Sequence, residues 1–355
     1  MINRWLIPFS WLYGAGVRLR NMLFDKGVLR SQSFSIPVIA VGNLAVGGTG
    51  KTPHVEHLVR LLRDQWRIAV LSRGYKRRTK GFVLAEPTST AADIGDEPRQ
   101  LKSKFGNLTV AVDADRCHGI RKLMKDSRTR ATQAIILDDA FQHRYVKPGL
   151  SIVLIEYGRL QGDMLLPAGR LREPMSGLRR ADIIVVTKCP DNLSEEEKAT
   201  ARDAIRRHTE KPVFFSRIVY QDLEPVFCGD SRLIDSIGTS THVLIVTGIA
   251  HPQPLVAEVC RRTTHVKHLA YADHHDFSAA DINKINSAFA ALPSPRLLLT
   301  TEKDAARLNS MGGLSDEVRQ ATWQLPICVD IDDQEGFDKL ITDYLNKNSK
   351  KTQST

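Results

Sequence analysis

Apolar positions along this chain follow two rhythms. Short runs rich in Val, Ile, Leu and Ala predict strands at 36–41, 68–71, 82–84, 109–112, 134–137, 151–155, 183–187 and 213–217. Between them apolar residues recur at helical spacing; in 55–66, Val55, Leu58, Val59 and Leu62 fall on one face. Near-continuous apolar strands separated by helices predict a mostly parallel sheet with helices on both faces. Ligands of such sheets bind outside the carboxyl ends of the strands. The texture changes near 221–230, and a second βα pattern begins with 242–247 and continues through 254–263, 296–300 and 325–331. The division that follows is a core over 31–220, a smaller C-terminal α/β lobe over 221–345, and a polar, lysine-bearing tail, 346–355, expected to be disordered.

Residues 1–30 stand apart. Trp5, Ile7, Phe9, Trp11, Leu12, Tyr13, Leu19, Met22 and Phe24 are interleaved with Arg4, Arg18, Arg20, Lys26 and Arg30. No uninterrupted apolar run approaches the about 20 residues that span a bilayer, and no signal-peptide cleavage pattern is clear. Two readings remain: a helix lying in a membrane interface with aromatic anchors and cationic flanks, or a helix packed on the protein's own core. The aromatic and cationic content favours an N-terminal interfacial helix.

The most informative stretch is Val41-Gly42-Asn43-Leu44-Ala45-Val46-Gly47-Gly48-Thr49-Gly50-Lys51-Thr52-Pro53. A strand runs into a glycine-rich loop, and a helix follows with Pro53 in its first turn, where a missing N–H costs nothing. Gly47, Gly48, Thr49 and Gly50 let successive backbone N–H groups converge on phosphate oxygens at a positive helix end. Lys51 reaches the β- and γ-phosphates in such loops, and the Thr52 hydroxyl ligates Mg²⁺. The first glycine of the usual pattern is Ala45 here, so the loop is a variant. These features predict an α/β, P-loop NTPase-like fold.

Leu137-Asp138-Asp139-Ala140-Phe141-Gln142-His143 delivers acids at the end of a strand, as the metal-holding partner of such a loop should. Adjacent Asp138 and Asp139 cannot both point one way on extended backbone, so one is expected to face the metal and the other a neighbour or the substrate. Asp96, in Gly95-Asp96-Glu97-Pro98, is a candidate base for a substrate hydroxyl, although Gly-Asp pairs are common turn and cap residues. Arg73, Arg170 and Arg172 lie in glycine- or proline-flanked loops and suit phosphate binding. Glu173, beside Arg172, is expected to orient it. In the second lobe, Tyr271-Ala272-Asp273-His274-His275-Asp276 offers a His–Asp pair able to tune a base, without zinc spacing. Thr187-Lys188 and 301–304 faintly echo loops that grip a nucleotide base.

Composition narrows the partner. A net charge of +10 favours an anionic one: nucleic acid, anionic lipid or a phosphorylated substrate. The 5 cysteines are scattered with no Cys-x-x-Cys pair, which fits a reducing compartment and argues against a disulfide frame.

The ordered set Gly47-Gly48-Thr49-Gly50-Lys51-Thr52-Pro53, Ser72-Arg73-Gly74-Tyr75, Gly95-Asp96-Glu97-Pro98, Leu137-Asp138-Asp139-Ala140-Phe141-Gln142-His143, Leu166-Pro167-Ala168-Gly169-Arg170-Leu171-Arg172-Glu173-Pro174 and Asp273-His274-His275 resembles the tetraacyldisaccharide 4′-kinases of lipid A biosynthesis. The resemblance implies ATP- and Mg²⁺-dependent phosphorylation of the 4′-hydroxyl of an acylated glucosamine disaccharide 1-phosphate. It implies a peripheral enzyme on the cytoplasmic face of the bacterial inner membrane, bound to anionic lipid, with no nucleic acid and no obligate protein partner. Asp96 is then the base, working with His274 or His275; Asp138 and Asp139 serve metal and active-site charge; Arg73, His143, Arg170, Arg172 and Glu173 line the substrate and phosphate site. Ala140 stands where the family motif has Gly, tolerable unless that residue needs positive φ. The competing reading from another class is a P-loop NTPase acting as a metallochaperone or nucleic-acid-associated switch. The aromatic N-terminus and the Asp96 loop count against it.

Overall fold

The computed structural model describes residues 3–352 apart from 161, 274 and 310, with side chains described up to 348. The chain divides into two units: one runs up to Ile218 and resumes at Val329, the other is Val219–Cys328. In chain order the first unit contains α1 (Ile7–Asp25), β1 (Val38–Asn43), α2 (Lys51–Leu62), β2 (Ile68–Ser72), β3 (Val83–Leu84), α3 (Ala91–Ile94), α4 (Asp96–Lys104), β4 (Thr109–Val112), α5 (Arg116–Lys125), β5 (Ala134–Asp138), β6 (Leu150–Glu156), β7 (Ile183–Thr187), α6 (Glu195–Arg206) and β8 (Val213–Tyr220). The second holds β9 (Glu224–Pro225), β10 (His242–Thr247), α7 (Gln253–Cys260), β11 (Val266–Ala270), α8 (Ala279–Ala290), β12 (Arg296–Thr300), α9 (Glu302–Asn309), α10 (Asp316–Gln320) and β13 (Thr322–Gln324). The chain then returns to the first unit as β14 (Ile327–Ile331) and α11 (Gln334–Thr352).

The large sheet has the order β14-β8-β7-β6-β1-β5-β2-β4-β3, parallel from β8 to β4 and closed by antiparallel β3. Its central strands are buried on both faces, which explains their unbroken apolar sequence. Along β1 the period of two sends Ile39 and Val41 to one core with Val55, Leu58 and Leu62 of α2. Val38 and Ala40 go to the other, with Ile120 and Leu123 of α5. The second unit is a five-stranded sheet, β11-β10-β12-β13-β9, with β9 antiparallel to β13.

Two expectations are corrected here. The run 325–331 was assigned to the C-terminal lobe, yet β14 lies beside β8 in the large sheet, and Phe337, Ile341 and Leu345 of α11 pack into the core under α2. The lobe therefore ends at Cys328 rather than at 345. The tail expected to be disordered continues α11 as helix through Thr352, carried by the buried stripe before it; residues 353–355 lie outside the described residues.

Helix α1 packs one face on the first unit and leaves another exposed. Ser10, Gly14 and Phe24 are buried against the first unit, while Trp5 (91% exposed), Trp11 (69%) and Leu12 (73%) face away from it. Among the described residues no helix is long and apolar enough to cross a membrane.

Candidate active site

The ends of β1, β5 and β2 bring the glycine-rich loop and the acid pair together. Register sets Val41 beside Asp138 and Leu71 beside Leu137, so Ser72, the next residue of β2, flanks Asp138. Gly42 lets the two turns approach: a Cβ there would sit 2.6 Å from Phe141 Cβ and 2.8 Å from the Phe141 backbone nitrogen. Gly50, with φ 87°, precedes the first turn of α2, a left-handed conformation that glycine adopts without steric cost.

The loop is clamped on two sides. Asn43 Nδ2 donates to Thr49 Oγ1 at 2.7 Å, and Thr187 Oγ1 donates to the Thr49 carbonyl at 2.9 Å. On the other side Val46 N donates to Arg170 O (2.8 Å) and Arg172 N to Leu44 O (2.7 Å), pairing the loop with the arginine segment. Ala45, the residue that replaces the usual glycine, is buried in that pairing opposite Leu171. The Arg170 guanidinium is exposed and lies over Gly47, 3.9 Å from where a Cβ would be.

The two aspartates diverge, though not on extended backbone: β5 ends at Asp138 and the chain turns at Asp139. Asp138 is buried and accepts a hydrogen bond from Ser72 Oγ at 3.1 Å; its Oδ1 is buried with no partner among the described residues. Burial pushes its carboxyl up to about 7, the carboxylates of Glu97 and Asp139 add to the rise, and Lys51 and Ser72 hold it back. Asp139 turns the other way through a left-handed residue, φ 47°. Its Oδ1 is 3.5 Å from Lys51 Nζ and 3.2 Å from Arg172 Nη1. Burial opposes its ionisation, but Lys51, Arg172 and Arg116 outweigh that and hold its carboxyl below the ordinary range. The positive φ falls on Asp139, and Ala140 is not among the residues with positive φ, so the alanine in place of the family's glycine is unstrained.

Glu173 does not orient Arg172. The chain bends at these two residues and their side chains part: Arg172 goes to Asp139 and Gln142 Oε1, and Glu173 goes to Arg180 and Asn21. Arg180 in turn lies over the Phe141 ring, 4.2 Å from its centroid. Burial and nearby Arg116 push the His143 ring down to about 4, so it is neutral at pH 7. Arg73 is exposed at the end of β2, with Arg116 and His143 both within its electrostatic reach. Asp96 opens α4 after Gly95, whose φ is 92°. His274 lies outside the described residues. His275 Nε2 is 2.9 Å from Asp281 Oδ2, next to the Ser278 cap of α8.

A family model described as tetraacyldisaccharide-1-P 4′-kinase matches residues 2–346. The chain belongs to that kinase family. The Tetraacyldisaccharide 4′-kinase of Phocaeicola vulgatus is 48% identical over 354 residues, covering 98% of this chain and 97% of the relative. That of Parabacteroides distasonis is 50% identical over 350 residues, covering 97% and 95%. A crystal structure of LpxK from Aquifex aeolicus in complex with ATP superposes with a TM-score of 0.74 at 30% identity, covering 97% of this chain and all (100%) of that one.

Around the candidate site further side chains join the network of loop and acids. Arg116, buried, gives Nη2 to the Asp139 carbonyl at 3.4 Å; Gln142 gives Nε2 to Asn43 O at 2.6 Å; Glu97 lies within electrostatic reach of Asp138. Ser72, Glu97 and Gln142 stand directly beside Arg73, Asp96 and His143 in sequence, a local signal of their place here. Arg116, Arg180 and Asn21 are brought in by tertiary contact alone.

Proposed function

We propose that this chain transfers the γ-phosphoryl group of ATP to the 4′-hydroxyl of a tetraacylated glucosamine disaccharide 1-phosphate at the cytoplasmic face of the inner membrane. The observation that carries the reading is the convergence of Lys51, Asp139 and Arg172 beside a buried Asp138 whose Oδ1 has no partner among the described residues. Phosphoryl transfer asks mainly for positioning and charge neutralisation. The N–H groups of Gly47, Gly48, Thr49 and Gly50 cradle the phosphates of ATP, and Lys51 bridges them to Asp139. Arg172, tied to Asp139, and Arg170 and Arg73, both exposed, take up charge on the phosphoryl group and on the 1-phosphate of the acceptor. Asp96 accepts the proton of the sugar hydroxyl. Neutral His143 offers hydrogen bonding without adding charge.

The donor set suits Mg²⁺, a hard cation that takes oxygen ligands and keeps several waters. Asp138 supplies an unpartnered buried carboxylate oxygen, and Thr52 supplies a hydroxyl in the first turn of α2. When bound there, Mg²⁺ neutralises charge on the β- and γ-phosphates. Asp139 serves as the counter-charge that keeps Lys51 and Arg172 in place.

The exposed apolar residues of α1, with Arg4, Arg18 and Lys26 around them, support an interfacial helix on anionic lipid, as an acylated substrate requires. Incubating the purified protein with MgATP and the acyl-disaccharide tests the reading. A 4′-phosphorylated lipid is expected, whereas hydrolysis stimulated only by RNA would replace it with the switch reading.

A further inference from the structure

We propose that helix α1 is a wall of the active site as well as a membrane contact, with Asn21 and Tyr13 as positioning residues for the loop that carries Arg172 and Glu173. The inference rests on the kinase reading above. Its starting point is the inner face of α1. Ser10 Oγ donates to Leu165 O at 2.8 Å and accepts from Ala168 N at 2.9 Å, and Tyr13 Oη donates to Arg172 O at 3.0 Å. One turn and more along, Arg20 Nη2 donates to Gln142 O at 3.0 Å and Asn21 Nδ2 to Glu173 Oε2 at 3.1 Å. Gly14 marks how close the approach is: a Cβ there would fall 2.8 Å from Leu165 Cδ1. A helix that served only as an anchor would need none of these bonds.

Glu173 makes the coupling consequential. It is 2% exposed, and a buried carboxylate must be held by donors. Arg180 and Asn21 both bind its Oε2, leaving Oε1 buried with no partner among the described residues. Arg180 alone is a single pivot about which the carboxylate can swing. Asn21 adds a second donor to the same oxygen and so restricts that swing. Asn21 is held in turn, because Arg144 Nη1 donates to its carbonyl oxygen at 2.9 Å and to its Oδ1 at 3.3 Å, and Arg144 Nη2 reaches Asp25 at 2.6 Å. The side-chain amide therefore has its oxygen on Arg144 and its nitrogen on Glu173. Exposed Leu12 and Met22 are direct neighbours of Tyr13 and Asn21 in sequence, so the outward apolar residues and those that hold the loop share one helix.

The test uses the full chain on lipid vesicles. Asn21→Asp keeps the size and the acceptor for Arg144 while replacing the donor to Glu173 with a carboxylate that repels it. It is expected to lower kcat by about tenfold to a hundredfold, the worth of a hydrogen bond to a charged group, with KM for ATP unchanged within about twofold because Lys51 and the glycine loop are untouched. Asn21→Gln, which keeps an amide donor, should recover most of that loss. Tyr13→Phe, at a half-exposed site that tolerates the change, should cost severalfold in kcat. All three should sediment with anionic vesicles like the parent protein. Unchanged kcat in both Asn21→Asp and Tyr13→Phe overturns the inference, as does a loss that Asn21→Gln shares in full or that follows release from vesicles. If the parent protein itself never phosphorylates the acyl-disaccharide, it is the kinase reading that fails.

Discussion

Replacing Asp138 with Asn should abolish transfer and make the ligand-free protein more stable at neutral and alkaline pH. Asp138 is 2% exposed, and its carboxyl stands at about 7 in the folded chain against 3.8 as the ordinary value. Between those values the folded state binds more protons than the unfolded one, so stability falls as pH rises through that window and is lowest above it. A rise of roughly three units at 1.36 kcal/mol each places the cost of the ionised carboxylate near 4 kcal/mol at pH 8. Asn carries no such cost and can still pair with Ser72. The Asp138→Asn protein should thus exceed the parent by about 1–4 kcal/mol at pH 8. That gap should shrink by about 2 kcal/mol on going to pH 5.5, where the parent carboxyl is mostly protonated. Thermal and urea unfolding of both proteins from pH 5.5 to 8.5, without nucleotide or metal, measures this. A variant that is less stable at pH 8, or a gap that does not change with pH, refutes the argument that burial dominates at Asp138.

Other outcomes follow from the same geometry. Lys51→Ala should lower kcat/KM by at least about a hundredfold while circular dichroism stays unchanged, since it removes a charge aimed at the phosphates and leaves the Arg172 pair with Asp139. Gly42→Ala should cost about 1–3 kcal/mol in urea unfolding, because its Cβ overlaps backbone as well as side chain of Phe141. Trp11→Asp with Leu12→Asp should weaken binding to anionic vesicles by tenfold or more without altering the unfolding midpoint, both side chains being largely exposed.

Much of the core was legible because buried parallel strands write themselves as apolar runs. Thr109–Val112, Ile183–Thr187, His242–Thr247 and Arg296–Thr300 were read to the residue. Strand β11, whose Lys267 and Ala270 are exposed, breaks that rule and was missed, as was three-residue β13. An apolar run announces a strand but not its sheet, so 325–331 reads as part of the C-terminal lobe although β14 joins the large sheet. At the site, Lys51, Asp138 and Asp139 could be named because loop and strand-end chemistry is local. The direction of Glu173 could not, since adjacency in sequence suggests a pair with Arg172, while the folded chain bends there and gives the two side chains different partners. Asn21 and Arg180 reach Glu173 only through folding, and no spacing encodes such a contact.

Asp96 is proposed to receive the proton of a sugar hydroxyl while residues 47–52 hold MgATP. The most direct measurement pairs single-turnover phosphorylation of the tetraacyl disaccharide 1-phosphate with nucleotide binding, for the parent protein and Asp96→Asn. A 4′-phosphorylated product from the parent, with turnover in the variant lower by about 10²–10⁴ and ATP affinity within a few-fold, is the predicted result. Parent-like turnover by Asp96→Asn, or no product from a parent protein that binds MgATP, would contradict it.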